Sequence, residues 1–90
     1  MNQTKILVVD DDREIVGAIK KRLELEDYQV LAAYDGLEAM DILMSQDVQL
    51  LIIDVMMPKM DGWEVCRKIR EKGNTPVIML TAKGETFDKV

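Results

Sequence analysis

Three short runs of consecutive apolar residues alternate along the chain with longer segments in which apolar residues recur at helical spacing. The runs lie at residues 6–9, 50–53 and 77–80 and read ILVV, LLII and VIML. Each run has the length of a strand, and strands that are apolar on both faces are typical of a parallel sheet covered on both sides. Residues 28–33 predict a further, weaker strand of mixed polarity, which suits an edge position.

Three longer segments have the periodicity of amphipathic helices: residues 13–26, 36–46 and 62–72. In the first segment, Ile15, Ile19 and Leu23 recur every four residues, which predicts an apolar stripe that faces the core together with Val16. A last helix is predicted to begin near Gly84. The predicted core-facing residues of the second and third segments are Leu37, Met40, Leu43 and Met44, and Val65 and Ile69.

The alternation of strands and helices predicts an α/β fold with right-handed crossovers and a doubly wound parallel sheet. If the strands have the order 2-1-3-4, the strand at residues 77–80 lies at an edge although it is apolar on both faces. Long apolar edges pair with other chains. We therefore expect either that a fifth strand and a last helix are missing, so that the chain is incomplete at its C-terminus, or that a partner covers this edge.

Length and composition narrow the class of protein. Ninety residues with 48% hydrophobic content predict a single domain over residues 1–90. The chain has 12 basic and 17 acidic residues, a net charge of −5 and no basic cluster, which argues against direct binding to nucleic acid. No apolar run approaches the ~18 residues of a membrane span, and the N-terminus lacks the architecture of a signal peptide. Since the single cysteine suits a reducing compartment, we expect a cytoplasmic protein.

Polar residues follow the three apolar runs at the point where each run ends. Asp10, Asp11 and Asp12 follow the first run, Asp54 the second and Thr81 the third. Ligands of open parallel sheets bind beyond the carboxyl ends of the strands, where the strand order reverses, so we expect all of these except Asp12 to meet in one crevice. Carboxylates this close repel one another unless a cation lies among them, and oxygen ligands suit Mg²⁺, or Mn²⁺ in its place.

Such a crevice suits phosphoryl transfer to Asp54. The carboxylate can attack a phosphoryl group and form an acyl phosphate, while the cation neutralises the charge that develops. Thr81 offers a hydroxyl that can donate a hydrogen bond to a phosphoryl oxygen.

Two other interpretations stay open at this point. Consecutive acids after a strand also serve as a helix N-cap with favourable charge at the helix N-terminus, and a single Asp at a strand end is often only a capping or turn residue. Alternatively, Asp10 and Asp12 have the D-x-D spacing of haloacid-dehalogenase-like phosphohydrolases, although the following Arg13 and Glu14 do not resemble the continuation of that motif.

Three motifs together resemble the receiver domain of bacterial two-component response regulators. KILVVDDD at residues 5–12 is similar to the family's first strand and acidic pair, LIIDVMMPKMDG at residues 51–62 to its phosphorylation signature, and PVIMLTA at residues 76–82 to its fourth strand and switch threonine. The resemblance covers essentially the whole chain and implies a flavodoxin-like fold. It also implies a lysine after a fifth strand that pairs with the phosphoryl group, and no residue of this chain is assigned to that role.

The same resemblance implies roles for individual residues. Asp54 matches the phosphoacceptor, Asp11 a direct metal ligand and Asp10 an acid that holds the metal through water. Met56 matches the residue whose backbone carbonyl completes the metal shell, and Thr81 matches the switch hydroxyl.

The function that the resemblance implies is a Mg²⁺-dependent signalling switch. A sensor histidine kinase phosphorylates Asp54 and thereby controls a transcriptional output, of the winged-helix DNA-binding type to judge from LTAKGETFDKV at residues 80–90. Such a domain assists its own phosphoryl transfer and dephosphorylation and is otherwise not an enzyme. Through the apolar edge at residues 76–80, the chain is expected to form a dimer or a domain-swapped oligomer.

Overall fold

The computed structural model describes residues 4–54, 62–73, 75–80 and 86–89. Strands and helices alternate over most of this part of the chain, as the apolar pattern predicts. In chain order the elements are β1 (Lys5–Val9), α1 (Arg13–Leu25), β2 (Gln29–Ala33), α2 (Gly36–Ser45), β3 (Leu50–Asp54), α3 (Gly62–Lys72), β4 (Val77–Leu80) and β5 (Thr86–Lys89). Among the described residues, no helix is long and apolar enough to cross a membrane.

The strands form one sheet in the order β2-β1-β3-β4-β5. The first four strands are parallel to one another, which confirms the α/β class and the predicted order 2-1-3-4. Val9 of β1 lies beside Ala33 of β2 on one side and beside Ile53 of β3 on the other. Because the strand order reverses between β1 and β3, the residues that follow these two strands come together at the switch point of the sheet.

The last described segment differs from the prediction. The sequence predicts a helix that begins near Gly84, but Thr86–Lys89 form β5, which pairs antiparallel with β4 and gives the sheet five strands rather than the expected four. A segment this short cannot show a helical period, and pairing satisfies backbone groups that β4 would otherwise expose. Since β5 pairs with β4 within the chain, β4 is not the exposed edge from which a dimer or domain-swapped oligomer is expected, and the association itself stays a prediction.

Successive residues of the central strands point to opposite faces of the sheet. On β1, Ile6 and Val8 pack in a buried cluster with Val16 of α1. Leu7 and Val9 belong to a second cluster on the other face, which includes buried residues of α2 and α3. A fully buried aliphatic side chain contributes about 1.5–3 kcal/mol to stability. β1 therefore contributes side chains to the buried clusters on both faces of the sheet, and these contacts hold the strand from both sides.

Helices α1 and α2 are rotated relative to the predicted stripes. In α1 the buried stripe is centred on Val16, and Ile15 is 42% exposed. In α2 the buried side is centred on Ala39, and Leu37 and Met44 are 56% and 68% exposed. The prediction that Ile15, Leu37 and Met44 face the core is therefore wrong. A 3.6-residue period permits more than one centre for an apolar stripe, and a small buried residue such as Ala39 adds little to the pattern in the sequence.

Candidate metal centre

The ends of β1 and β3 bring acidic residues together at the carboxyl edge of the sheet. Asp54 is the last residue of β3, and Asp10 follows the last residue of β1. Because Val9 lies beside Ile53 in the register, Asp10 and Asp54 are neighbours across the two strands. The Asp10 backbone N–H donates to the carbonyl of Ala33 at 3.2 Å. This bond continues the pairing of β1 with β2 by one residue and fixes the backbone at Asp10.

Three carboxylates form a cluster at this edge. Asp10, Asp11 and Asp54 each offer one carboxylate oxygen, and these atoms all lie within 4.8 Å of one another. Asp10 and Asp54 are buried, with 5% and 8% exposure, whereas Asp11 is exposed. The cluster is thus closed on the side of the strands and open to solvent at Asp11. Carboxylates this close repel one another, and a bound cation removes the repulsion.

The acidity of the Asp10 carboxyl group is changed by its buried, acidic surroundings. Its pKa is raised from 3.8 to about 6, chiefly because burial removes the carboxylate from water. A hydrogen bond from the Asp12 backbone N–H to Asp10 Oδ1, 2.9 Å long, lowers the pKa, whereas the carboxylates of Asp54 and Asp11 raise it. Asp10 therefore releases its proton just below neutral pH, where a cation can take the place of that proton.

The third of the consecutive acids is separate from the cluster. Asp12 is the N-cap of α1, and its Oδ1 accepts hydrogen bonds from the backbone N–H groups of Glu14 at 3.0 Å and Ile15 at 3.4 Å. The capping interpretation therefore holds for Asp12, and Asp10 also accepts a local hydrogen bond from the Asp12 N–H, but neither bond accounts for the position of Asp10 and Asp11 beside Asp54. The pair that a haloacid-dehalogenase-like site requires, Asp10 with Asp12, is divided between the cluster and the helix cap. That alternative is not supported.

Arg13 and Tyr34 lie at the same edge and were not expected from the sequence. The guanidinium carbon of Arg13 is 3.9 Å from the centroid of the Tyr34 ring, which is a cation–π distance. Arg13 begins α1 directly after the acids, and Tyr34 directly follows β2. The sequence signal for both residues is their position, because each lies at the end of an element that flanks the site.

The cluster fits a hard divalent cation. Of the predicted site residues, the structure brings together Asp10, Asp11 and Asp54, while Met56 and Thr81 lie outside the described residues. The cluster offers only carboxylate oxygens and is open to water on one side. Mg²⁺ is commonly bound by one or two carboxylates and several waters, and Mn²⁺ accepts the same ligands. The residues present therefore fit Mg²⁺.

Comparison with known proteins defines the class to which this fold and cluster belong. Residues 6–90 match the model of the response regulator receiver domain, and the chain belongs to this family. Among curated relatives, the transcriptional regulatory protein CpxR of Escherichia coli K12 is 48% identical over 86 residues. The match covers 96% of this chain and 37% of CpxR, so the chain spans little more than a third of that relative's length.

Solved structures of related proteins have the same architecture. The response regulator protein TrrA of Thermotoga maritima, solved in complex with Mg(2+)-BeF, is 38% identical with a TM-score of 0.84, and the match covers 89% of this chain and 70% of TrrA. The chemotaxis protein CheY4 of Vibrio cholerae is 32% identical with a TM-score of 0.87, over 93% of this chain and 72% of CheY4. The family and the fold that the sequence motifs imply are therefore both confirmed.

Proposed function

We propose that this protein is a phosphoacceptor switch in which a sensor histidine kinase transfers a phosphoryl group to Asp54. The observation that carries the proposal is the position of Asp54 at the end of β3, with carboxylate oxygens of Asp10 and Asp11 within 4.8 Å. Membership in the receiver family supports a sensor histidine kinase as the partner. The Mg(2+)-BeF complex of the related TrrA supports the choice of cation.

The three acids are proposed to hold Mg²⁺, or Mn²⁺ in its place, in different ways. Asp11, which is exposed, suits a direct ligand, together with Asp54. The resemblance to receiver domains assigns Asp10 the role of the acid that binds the cation through a water molecule; Asp10 is buried and accepts a hydrogen bond from the backbone of Asp12. The backbone carbonyl of Met56 is proposed to complete the shell. When bound, the cation supplies positive charge that screens the carboxylates from an incoming anionic phosphoryl group.

Asp54 is the proposed nucleophile. One of its carboxylate oxygens attacks phosphorus as the bond from phosphorus to the histidine nitrogen of the donor breaks, which forms an acyl phosphate. Asp54 is 8% exposed, so little of the product carboxyl group is open to attack by water. Its backbone is fixed because it lies beside Leu80 of β4 in the register. Thr81 follows Leu80, and its hydroxyl is the proposed switch group that donates to a phosphoryl oxygen.

The proposed output of the switch is transcriptional. CpxR, which is 48% identical over the matched residues, is a transcriptional regulatory protein. The net charge of −5 disfavours contact between this acidic chain and a phosphate backbone. We therefore assign DNA contact to a winged-helix output domain rather than to residues 1–90. In this scheme the receiver assists its own phosphoryl transfer and dephosphorylation and turns over no other substrate.

Phosphorylation by a small donor tests the proposal. Acetyl phosphate with Mg²⁺ should add a phosphoryl group that is stable in acid and lost in base or hydroxylamine, as intact-mass measurement will show. Asp54→Asn should abolish the adduct. Asp47→Asn is the matched control, because Asp47 is an exposed acid before β3, at the opposite edge of the sheet. An unmodified wild-type protein, or an adduct that persists in Asp54→Asn, would refute the assignment.

A further inference from the structure

A cation–π contact lies beside the acidic cluster. Arg13 begins α1 two residues after Asp11, and its guanidinium carbon is 3.9 Å from the centroid of the Tyr34 ring. Tyr34 packs against the buried cluster beneath α1, and its backbone N–H donates to Glu38 Oε1 at 2.7 Å. The ring is therefore held by the fold. Arg13, in contrast, is an exposed side chain with many rotatable bonds, and the ring fixes its position.

Asp11 is the natural alternative partner of Arg13. It is only two residues away, exposed, and part of the cluster of carboxylates. The guanidinium group forms its strongest side-chain pairs with carboxylates, often through two parallel hydrogen bonds. A pair between Arg13 and Asp11 would occupy the ligand that faces solvent and would compete with a divalent cation. Within the described part of the chain, Arg13 forms no ion pair and contacts the Tyr34 ring instead.

We propose that Tyr34 is a positioning residue for the metal centre: its ring holds the Arg13 guanidinium away from Asp11 and leaves the Asp11 carboxylate open to Mg²⁺. The inference rests on the proposed function, because it concerns the same cation. Exposed cation–π contacts and exposed ion pairs have similar strength, so loss of the ring should weaken Mg²⁺ binding by about two- to five-fold.

The test is the affinity for MgCl₂ alone at low ionic strength, measured by isothermal titration and by the amide NMR shift of Asp11. Tyr34→Leu keeps an apolar side chain over the core but removes the ring face, so binding should weaken by the stated factor. Tyr34→Phe keeps the ring and should bind as the wild type does. Adding Arg13→Gln to Tyr34→Leu should restore the affinity, since no guanidinium group remains to pair with Asp11.

Two results obtained with Tyr34→Leu would overturn the positioning role. One is a Tyr34→Leu protein that binds Mg²⁺ as tightly as the wild type, and the other is a loss that persists unchanged in the double variant. Arg13→Gln alone provides an independent check, because it should bind Mg²⁺ at least as tightly as the wild type, and weaker binding would contradict the inference. A wild-type protein that does not bind Mg²⁺ would refute the proposed function itself. Normal binding that does not depend on Tyr34 would refute only this inference.

Discussion

Two sets of buried residues belong to the same strands and have opposite effects on stability. Leu7 and Ile53, inside β1 and β3, have 0% exposure, and Asp10 and Asp54, at the ends of these strands, have 5% and 8%. Burial of an aliphatic side chain stabilises the fold, whereas burial of a carboxylate destabilises it unless a partner or a cation compensates. The strand interiors therefore supply stability, and the acidic edge is the region that should respond to pH and to a cation.

Leu7→Ala should produce the largest effect. Leu7 is fully buried in β1 and belongs to the cluster beneath α2 and α3. Its truncation should lower the free energy of unfolding by about 2–5 kcal/mol, as measured by urea denaturation. Leu37→Ala is the matched control, because Leu37 is 56% exposed and its truncation should change stability by less than about 0.5 kcal/mol. Equal losses in the two variants would contradict the assignment of stability to the strand interiors.

The second prediction concerns the acidic edge without metal. Asp10 has a pKa raised to about 6 in the fold and the ordinary value of 3.8 in the unfolded chain. Between these pH values the folded state binds more protons than the unfolded state, so the contribution of Asp10 to stability falls as pH rises. The loss should approach about 3 kcal/mol above pH ~6. Urea unfolding at a series of pH values in the presence of EDTA measures it.

Asp10→Asn separates this contribution from those of the other carboxylates. At neutral pH without metal, the variant should be more stable than the wild type, and the difference should vanish near pH ~4, where the wild-type carboxyl group is protonated. Added Mg²⁺ should stabilise the wild type at neutral pH, because only the folded state holds the cluster together. The same pH dependence in both proteins would show that other acids are responsible.

The strand interiors and the acidic edge also differ in how far the sequence predicts them. The apolar runs of β1 and β3 indicate buried parallel strands from local composition alone, and general rules of connection predict right-handed crossovers. The particular order 2-1-3-4 is the one that the resemblance to receiver domains implies. β5 has no such signal, because four residues show no period and their pairing depends on the open edge of β4. β5 therefore forms because it pairs with β4, and no local sequence pattern indicates that pairing.

At the acidic edge, the sequence predicts that Asp10, Asp11 and Asp54 meet and that Asp12 is separate, and the structure agrees for these four residues. Composition alone would not distinguish the three consecutive acids. Asp10, Asp11 and Asp12 are identical residues, and which of them caps α1 depends on where the helix begins. The contact between Arg13 and Tyr34 joins the ends of two elements, so it becomes visible only once the sheet has placed them. The sequence thus predicts which residues lie at strand ends, whereas contacts between side chains of different elements can be identified only from the folded structure.

The division between neighbouring acids leads to the third prediction. Asp12→Ala should remove the N-cap of α1 and lower the free energy of unfolding by about 1 kcal/mol, with little change in Mg²⁺ affinity. Asp11→Ala should do the reverse: it should weaken Mg²⁺ binding by more than about tenfold without lowering the stability of the metal-free protein. Titration and urea denaturation of both variants provide the comparison. A large loss of Mg²⁺ affinity in Asp12→Ala would mean that the cap and the cluster are not separate.

The smallest effect is expected at the C-terminus of α1, at the edge of the sheet opposite the acids. Asp27 has a φ of 70°, a left-handed conformation that favours glycine. The helix ends in a Schellman motif, in which the Tyr28 N–H donates to the Leu23 carbonyl at 3.2 Å and the Asp27 N–H donates to the Glu24 carbonyl at 3.1 Å.

Asp27→Gly should therefore raise the free energy of unfolding by about 0.5–1 kcal/mol, and Asp27→Val should lower it, because a β-branched residue is strained in this conformation. Urea denaturation measures both changes. Asp27 lies at the opposite edge from Asp10, so neither substitution should alter Mg²⁺ affinity or the dependence of stability on pH below neutrality. A change in either property would show that strain at the helix end reaches the acidic edge, and the two edges of the sheet could then no longer be treated as independent.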